Sequence, residues 1–155
     1  KKKHGGGVLL SLSHHLDLAF YFFGNLKSKY KHIKNTRNFN IQAEDSFKGI
    51  FLTDNNADLQ FNLNFLDAEQ NNFIILNFKK GTIFWDYYNK KLKISFIDKK
   101  KKKEYFYNNF NRNRMFEAQT KFFISKIKNS RFDTKSFESS SQIIRLIEKV
   151  KKNIK

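Results

Sequence analysis

Gly5-Gly6-Gly7-Val8-Leu9-Leu10-Ser11-Leu12-Ser13-His14-His15-Leu16-Asp17 opens a segment that runs on to Phe22-Phe23-Gly24, and its reading organises the rest of the chain. Glycine has no Cβ, so three in a row let the backbone approach a ligand or a neighbouring element closely. The apolar spacing that follows predicts a helix from about Val8 to Phe23, with Gly24 at its C-terminal stop. At roughly 100° per residue, Leu9, Leu12, Leu16, Ala19, Phe20 and Phe23 share one stripe. Leu10, His14, Asp17 and Tyr21 fall on the opposite face. A helix apolar on both sides is expected to be covered on both sides, and the second cover is hard to find within the chain.

His14 and Asp17 stand one turn apart on that second face. Two readings stay open on chemistry alone. In the first the pair is structural, with His14 hydrogen-bonded to Asp17. In the second it does work, because a histidine oriented by a carboxylate is a common arrangement for moving protons near neutral pH. The glycine run just ahead of the pair, the i, i+3 spacing and the orientation away from the main stripe favour the second.

Composition sets the limits. At 155 residues the chain is expected to be one domain with a core of its own. It has no cysteine, which excludes disulfides and thiolate metal sites. The four histidines form no zinc-like spacing with nearby acids. No stretch approaches the roughly 20 apolar residues that span a bilayer, and no secretory pattern opens the chain. The expected location is the cytoplasm, with no membrane partner. The net charge of +17 invites a nucleic-acid reading. However, 19 Phe, abundant Lys, Asn and Ile, and no Pro look like a codon bias that places lysines on a solvated surface. Nucleic acid is therefore disfavoured, and the run Lys99 to Lys103 reads as a hairpin loop. The only methionine is Met115, so a segment is expected to precede Lys1 in the gene product.

Beyond the first helix the periodicity changes to that of strands. Lys31 to Asn40 looks extended, Ser46 to Thr53 alternates weakly, and Asp58 to Phe65 places Leu59, Phe61, Leu63 and Phe65 on one face. Asp54-Asn55-Asn56 between the last two is a hairpin signal. Asn72 to Phe78, Gly81 to Tyr87, Lys91 to Ile97 and Lys102 to Tyr107 follow, linked by Lys79-Lys80 and Tyr88-Asn89-Lys90. Two helices close the chain. Arg112 to Lys128 carries Met115, Phe116, Phe122, Phe123 and Ile127 at helical spacing. Phe137 to Asn153 carries Ile143, Ile144, Leu146, Ile147 and Val150, with Ser136 or nearby serines as caps. Both stripes are expected to be core. The fold class is α+β: an open, mainly antiparallel sheet of about six or seven strands with helices packed on one face. The other face carries large apolar residues and is expected to meet a second copy, giving a homo-oligomer through the open sheet.

Four stretches, in order, make the chain similar to one family. Gly5 to Asp17 resembles the GGG-x-L-x-D/T-x-S-H-E-x-D start of the C-terminal domain of the Gfo/Idh/MocA oxidoreductases. Ala43-Glu44-Asp45-Ser46 resembles the family's V-E-D-T entry to the sheet. Gly81-Thr82-Ile83-Phe84-Trp85-Asp86-Tyr87 is similar to its G-T-I-x-W-D-Y strand, and Asn113-Arg114-Met115-Phe116 to N-x-M-Y in the penultimate helix.

The resemblance implies that residues 1–155 form a C-terminal substrate and oligomerisation domain, with an N-terminal Rossmann domain upstream. NAD or NADP would be bound mainly by that missing domain, with none for this chain alone. The substrate would be a sugar or sugar derivative. The resemblance also implies His14 as proton donor or acceptor at the substrate hydroxyl and Asp17 as its orienting partner. Ser11, His15 and Tyr21 would contact substrate, with His15 a second candidate for the catalytic histidine. No metal is implied. His15 stands where the family often has an acid, Ser11 where it has Asp or Thr. Asn64 to Glu69 lies where relatives read D-Y-L-Q-R-P, and its Asp67 and Glu69 disfavour an anionic sugar nucleotide. The competing reading is a non-enzymatic oligomerisation domain that has lost its dinucleotide-binding half.

Overall fold

A computed structural model of the chain describes residues 6–37, 40–98, 101–128 and 134–152. Gly5 of the opening motif, Asn38-Phe39 of the first expected strand and Lys99-Lys100 of the expected lysine loop lie outside them. The elements are α1 (Val8–Ser11), α2 (Ser13–Phe23), β1 (Leu26–Lys34), β2 (Ser46–Thr53), β3 (Asp58–Asn64), β4 (Phe73–Phe78), β5 (Gly81–Asp86), β6 (Lys91–Phe96), β7 (Lys102–Phe106), α3 (Arg112–Lys128) and α4 (Thr134–Lys152). The α+β class and the antiparallel pairing expected from the sequence hold, with seven strands among the described residues. They form two sheets where one was expected, β1-β2-β3 and β4-β5-β6-β7. The β2–β3 connection and those within the four-stranded sheet are short, whereas β1 and β2 are joined by the longer segment 35–45. Between β3 and β4 stand the eight residues from Phe65 to Asn72, whose polar Asp67, Glu69, Gln70 and Asn71 supply no hairpin turn. The chain accordingly divides into two compact units, one built from the described residues through Leu66 together with α4, the other beginning at Asp67.

The first unit holds the core. The register sets Phe47, Gly49, Phe51 and Thr53 of β2 on one face, beside Leu26 and Ile33 of β1 and Leu59, Phe61 and Leu63 of β3. This face packs against α1 and α4, with α2 seated on α4. Val8, Leu9, Leu16, Leu26, Phe47, Phe51, Leu63, Ile143, Ile147 and Val150 are buried together, with Leu146 packed against them, so most of the α4 stripe is core as expected, whereas Ile144 is exposed. Lys31 also lies on the covered face, and its Nζ donates to the Val150 carbonyl at 2.7 Å. That bond satisfies one of the carbonyls a helix leaves unpaired at its C-terminus. The opposite face carries Lys48, Gln60 and Asn62 and is mostly polar, so this sheet does not need the second apolar cover that the sequence suggested.

Local chemistry explains the boundaries. Gly24 (φ 78°) stops α2, its N–H donating to the Phe20 carbonyl. Asn56 takes positive φ in the β2–β3 turn. The one expected helix is two, parted at Leu12 (φ −108°, ψ 22°). Ser11 and Ser13 flank the break, and serine competes with helical hydrogen bonding. Helix α4 starts at Thr134, so Ser136 falls inside the helix rather than ahead of it as a cap.

The second unit is different in kind. No described residue in it is buried. One face of its sheet gathers Ile74, Leu76, Phe78, Ile83, Trp85, Leu92, Ile94, Phe96 and Tyr105 by register. The α3 stripe, expected as core, is exposed: Phe122 and Phe123 are each 63% accessible. The cause is visible on the helix. Arg112, Gln119 and Lys126 fall between Met115 and Phe122 on one side and Phe116 and Phe123 on the other, splitting the stripe. The cations of Arg112 and Lys126 lie over the rings of Phe116 and Phe122, at 5.6 and 5.1 Å. No helix among the described residues is long and apolar enough to cross a membrane.

Candidate active site

The close approach permitted by the glycine run is to Glu44. Val8 N–H donates to the Glu44 carbonyl at 2.9 Å, and Leu9 N–H to Glu44 Oε1 at 3.4 Å. Lys151 Nζ, from the last turn of α4, pairs with the same Oε1 at 2.6 Å and donates to the Gly6 carbonyl at 3.1 Å. Gly7 sits at φ 92°, and a Cβ there would run into the Glu44 carboxyl group; both facts require glycine. A dinucleotide pyrophosphate needs free backbone N–H groups and space for phosphate oxygens. Here a carboxylate occupies that space, so the glycines do not fit the pyrophosphate of NAD(P).

Asp45, the next residue, is fully buried. Burial pushes its carboxyl up, but the Thr36 hydroxyl at 2.6 Å and the Thr36 N–H at 3.0 Å both donate to it, and together with Lys34 nearby they hold it below the ordinary aspartate range. The pair Glu44-Asp45 thus clamps the start of α1 and the end of β1. Sequence reasoning had placed these residues only by family likeness. The signal that could have found their role was an acidic pair directly ahead of a strand, with a glycine-led helix in need of a partner for its first N–H groups.

His14, Asp17 and Tyr21 lie on one outward face of α2, all exposed, Tyr21 by 78%. Ser11 is exposed too, but it ends α1 on the far side of the Leu12 break and is not part of the same helical face. Leu10, expected beside His14, packs against the core instead, because the break turns α1 inward. No hydrogen bond or ion pair joins His14 to Asp17 among the described residues, so the first sequence reading, a self-satisfied pair, is not what this face contains. His14 meets His15 instead, with ring centroids 4.3 Å apart and planes tilted by 39°.

His15 is half-buried, and desolvation, followed by the charge of His14, lowers its pKa to about 4. It is therefore neutral at physiological pH. The unfolded chain takes up a proton near pH 6.5, the native ring only near 4, so the unfolded state binds more protons between the two values. The stabilisation is fully present above about pH 6.5 and falls as pH drops towards 4. We expect the thermal midpoint to decline across that window in the wild type and to flatten in His15→Leu. Equal slopes in the two proteins would refute the assignment. The Asp45 contribution is lost only at lower pH, as pH falls through a folded value below that of free aspartate.

A groove of about 240 Å³ lies between the end of α2 and α4, on Phe20, Leu26, Ile143 and Leu146. No cluster of His, Asp and Glu suited to a metal ion exists among the described residues. What this face offers is an accessible imidazole for proton transfer, with a carboxylate one turn away and a phenol two turns away.

A family model described as the GFO/IDH/MocA C-terminal domain matches residues 1–84, which contain the glycine run, α2 and the Glu44-Asp45 pair. No curated protein and no solved structure matches the chain.

Proposed function

The chain belongs to the GFO/IDH/MocA C-terminal domain family, and on that premise we propose that it is the substrate-side half of an NAD(P)-dependent oxidoreductase acting on a hydroxyl or carbonyl of a sugar or sugar derivative. The observation that carries the reading is the single face of α2 presenting His14, Asp17 and Tyr21 directly after the family's glycine run. His14 accepts the hydroxyl proton in oxidation and returns it to the carbonyl oxygen in reduction. Asp17 orients the imidazole once the site is closed, and Ser11 and Tyr21 meet the sugar hydroxyls. The dinucleotide belongs to an N-terminal domain, for which the open face of α2 is left free, and the protein works in the cytoplasm. The test is NAD(P)-linked absorbance change over a panel of polyols, aldoses and uronates, with this chain joined to its dinucleotide-binding domain. Turnover dependent on His14 is expected; a folded protein inert across the panel overturns the reading.

The same protein is proposed to self-associate through the apolar face of the four-stranded sheet. Support comes from Leu76, Ile83, Trp85 and Ile94, which line that face and are incompletely buried. Light scattering at tens of micromolar is expected to give at least a dimer, weakened by Trp85→Lys. Monomers alone at that concentration would exclude it. A scaffold that has lost its dinucleotide half would keep this association and show no turnover.

A further inference from the structure

His15 is not among the buried apolar residues of the core, and it stands next to the exposed imidazole of His14. We propose that His15 is a positioning residue whose half-buried ring serves as a stacking platform that fixes the exposed imidazole of His14. This inference rests on the reading of His14 as the proton-transfer group.

Adjacent side chains on a helix diverge by about 100°, so two neighbouring rings with centroids 4.3 Å apart have turned towards one another. That separation is slightly shorter than the roughly 4.5–7 Å usual for aromatic pairs. The two rings are not equivalent. One is anchored by burial and the other is free to reach solvent or substrate. An exposed side chain without a partner samples several rotamers, and reaction rates are sensitive to displacements of about 1 Å. No hydrogen bond restrains His14 from the Asp17 side, so the His15 ring supplies the restraint. The platform also suits both protonation states. Against neutral imidazole it is an aromatic pair, and against imidazolium it is an uncharged ring that a cation can face. A charged neighbour would repel the imidazolium, and burial keeps His15 from carrying that charge.

Three variants separate stacking from mere filling. His15→Phe keeps the ring, His15→Leu keeps the apolar bulk without a ring, and His14→Ala removes the group being positioned. The first readout is the ring-proton chemical shift of His14 in the folded chain at neutral pH. The expected result is a ring-current displacement in the wild type and in His15→Phe that is absent in His15→Leu, with all three folded. Identical His14 shifts in the wild type and His15→Leu overturn the platform whatever the enzyme does. The second readout is turnover in the intact oxidoreductase. His15→Leu is expected to lower kcat by about ten- to a hundredfold, with His15→Phe restoring most of it. Unchanged kcat in His15→Leu, in a protein whose His14→Ala variant is inactive, refutes the positioning role while leaving the proposed function intact. Full activity of His14→Ala instead defeats the proposed function, and the chemical-shift result then stands by itself as a statement about geometry.

Discussion

Replacing His14 by alanine is expected to lower turnover of the intact oxidoreductase by about 10²- to 10⁴-fold while leaving dinucleotide affinity unchanged. The magnitude is that of general acid–base catalysis by one positioned side chain, about 3 to 5 kcal/mol of barrier. The two halves of the expectation have separate grounds. Loss of turnover follows because His14 is the exposed imidazole of the α2 face, and imidazole is the side chain suited to taking and returning a proton in general acid–base catalysis. Retained affinity follows because the glycine run is closed by Glu44 and Lys151 and offers the pyrophosphate nothing. Steady-state kinetics and dinucleotide titration of the same preparation decide it. Wild-type rates would remove His14 from the chemistry, and loss of dinucleotide binding would give it a different role.

The largest loss of stability is expected at Phe51. Its ring is fully buried on the central strand of the first sheet, 6.3 Å from Phe47 and edge-on to Phe61 at 5.4 Å. Truncation to alanine removes most of that apolar surface and leaves a cavity between sheet and helices that can close only in part. The usual cost is about 3–5 kcal/mol, a large share of the roughly 5–15 kcal/mol that holds a domain folded. Phe73→Ser in the second unit, at a position 56% exposed, is expected to change stability by about 0.5 kcal/mol or less. Urea denaturation followed by circular dichroism measures both. A loss below about 1 kcal/mol at Phe51 would mean the core of the first unit lies elsewhere.

What the sequence made legible follows where one physical signal dominated. The β2–β3 hairpin was readable because Leu59, Phe61 and Leu63 alternate cleanly and Asn56 accepts the positive φ that the turn needs. Helix α4 was readable because Ile143, Ile147 and Val150 recur at helical spacing on one side. The errors came where signals competed. Apolar spacing carried the first helix through Leu12, whereas the backbone leaves helical geometry between two serines. In α3 the aromatic count suggested a core helix, yet the polar residues that split the stripe were equally visible in the sequence. The seven strands were legible, but their division into two sheets depends on a connection that periodicity does not describe. For the site, His14, Asp17 and Tyr21 fall on one face as expected. The contact that matters most to His14, the neighbouring ring of His15, depends on side-chain rotation and burial, which no residue pattern encodes.

The ion pair between Lys151 and Glu44 has a consequence for how the molecule comes to be folded. It ties the final helix back to the opening of the chain, and the hydrogen bond from the same lysine to Gly6 spans 145 residues. The first unit is thus discontinuous: its sheet is complete by Asn64, while α4, which supplies Ile143, Ile147 and Val150 to its core, follows the whole of the second unit in sequence. Contacts at such separation demand closure of a long loop before they return any stabilisation, which slows folding. During synthesis α1 is already made and covers part of the sheet, but the part covered by α4 stays open while all of the intervening strands emerge. The interval of that exposure is set by the length of the insertion rather than by the stability of the finished core.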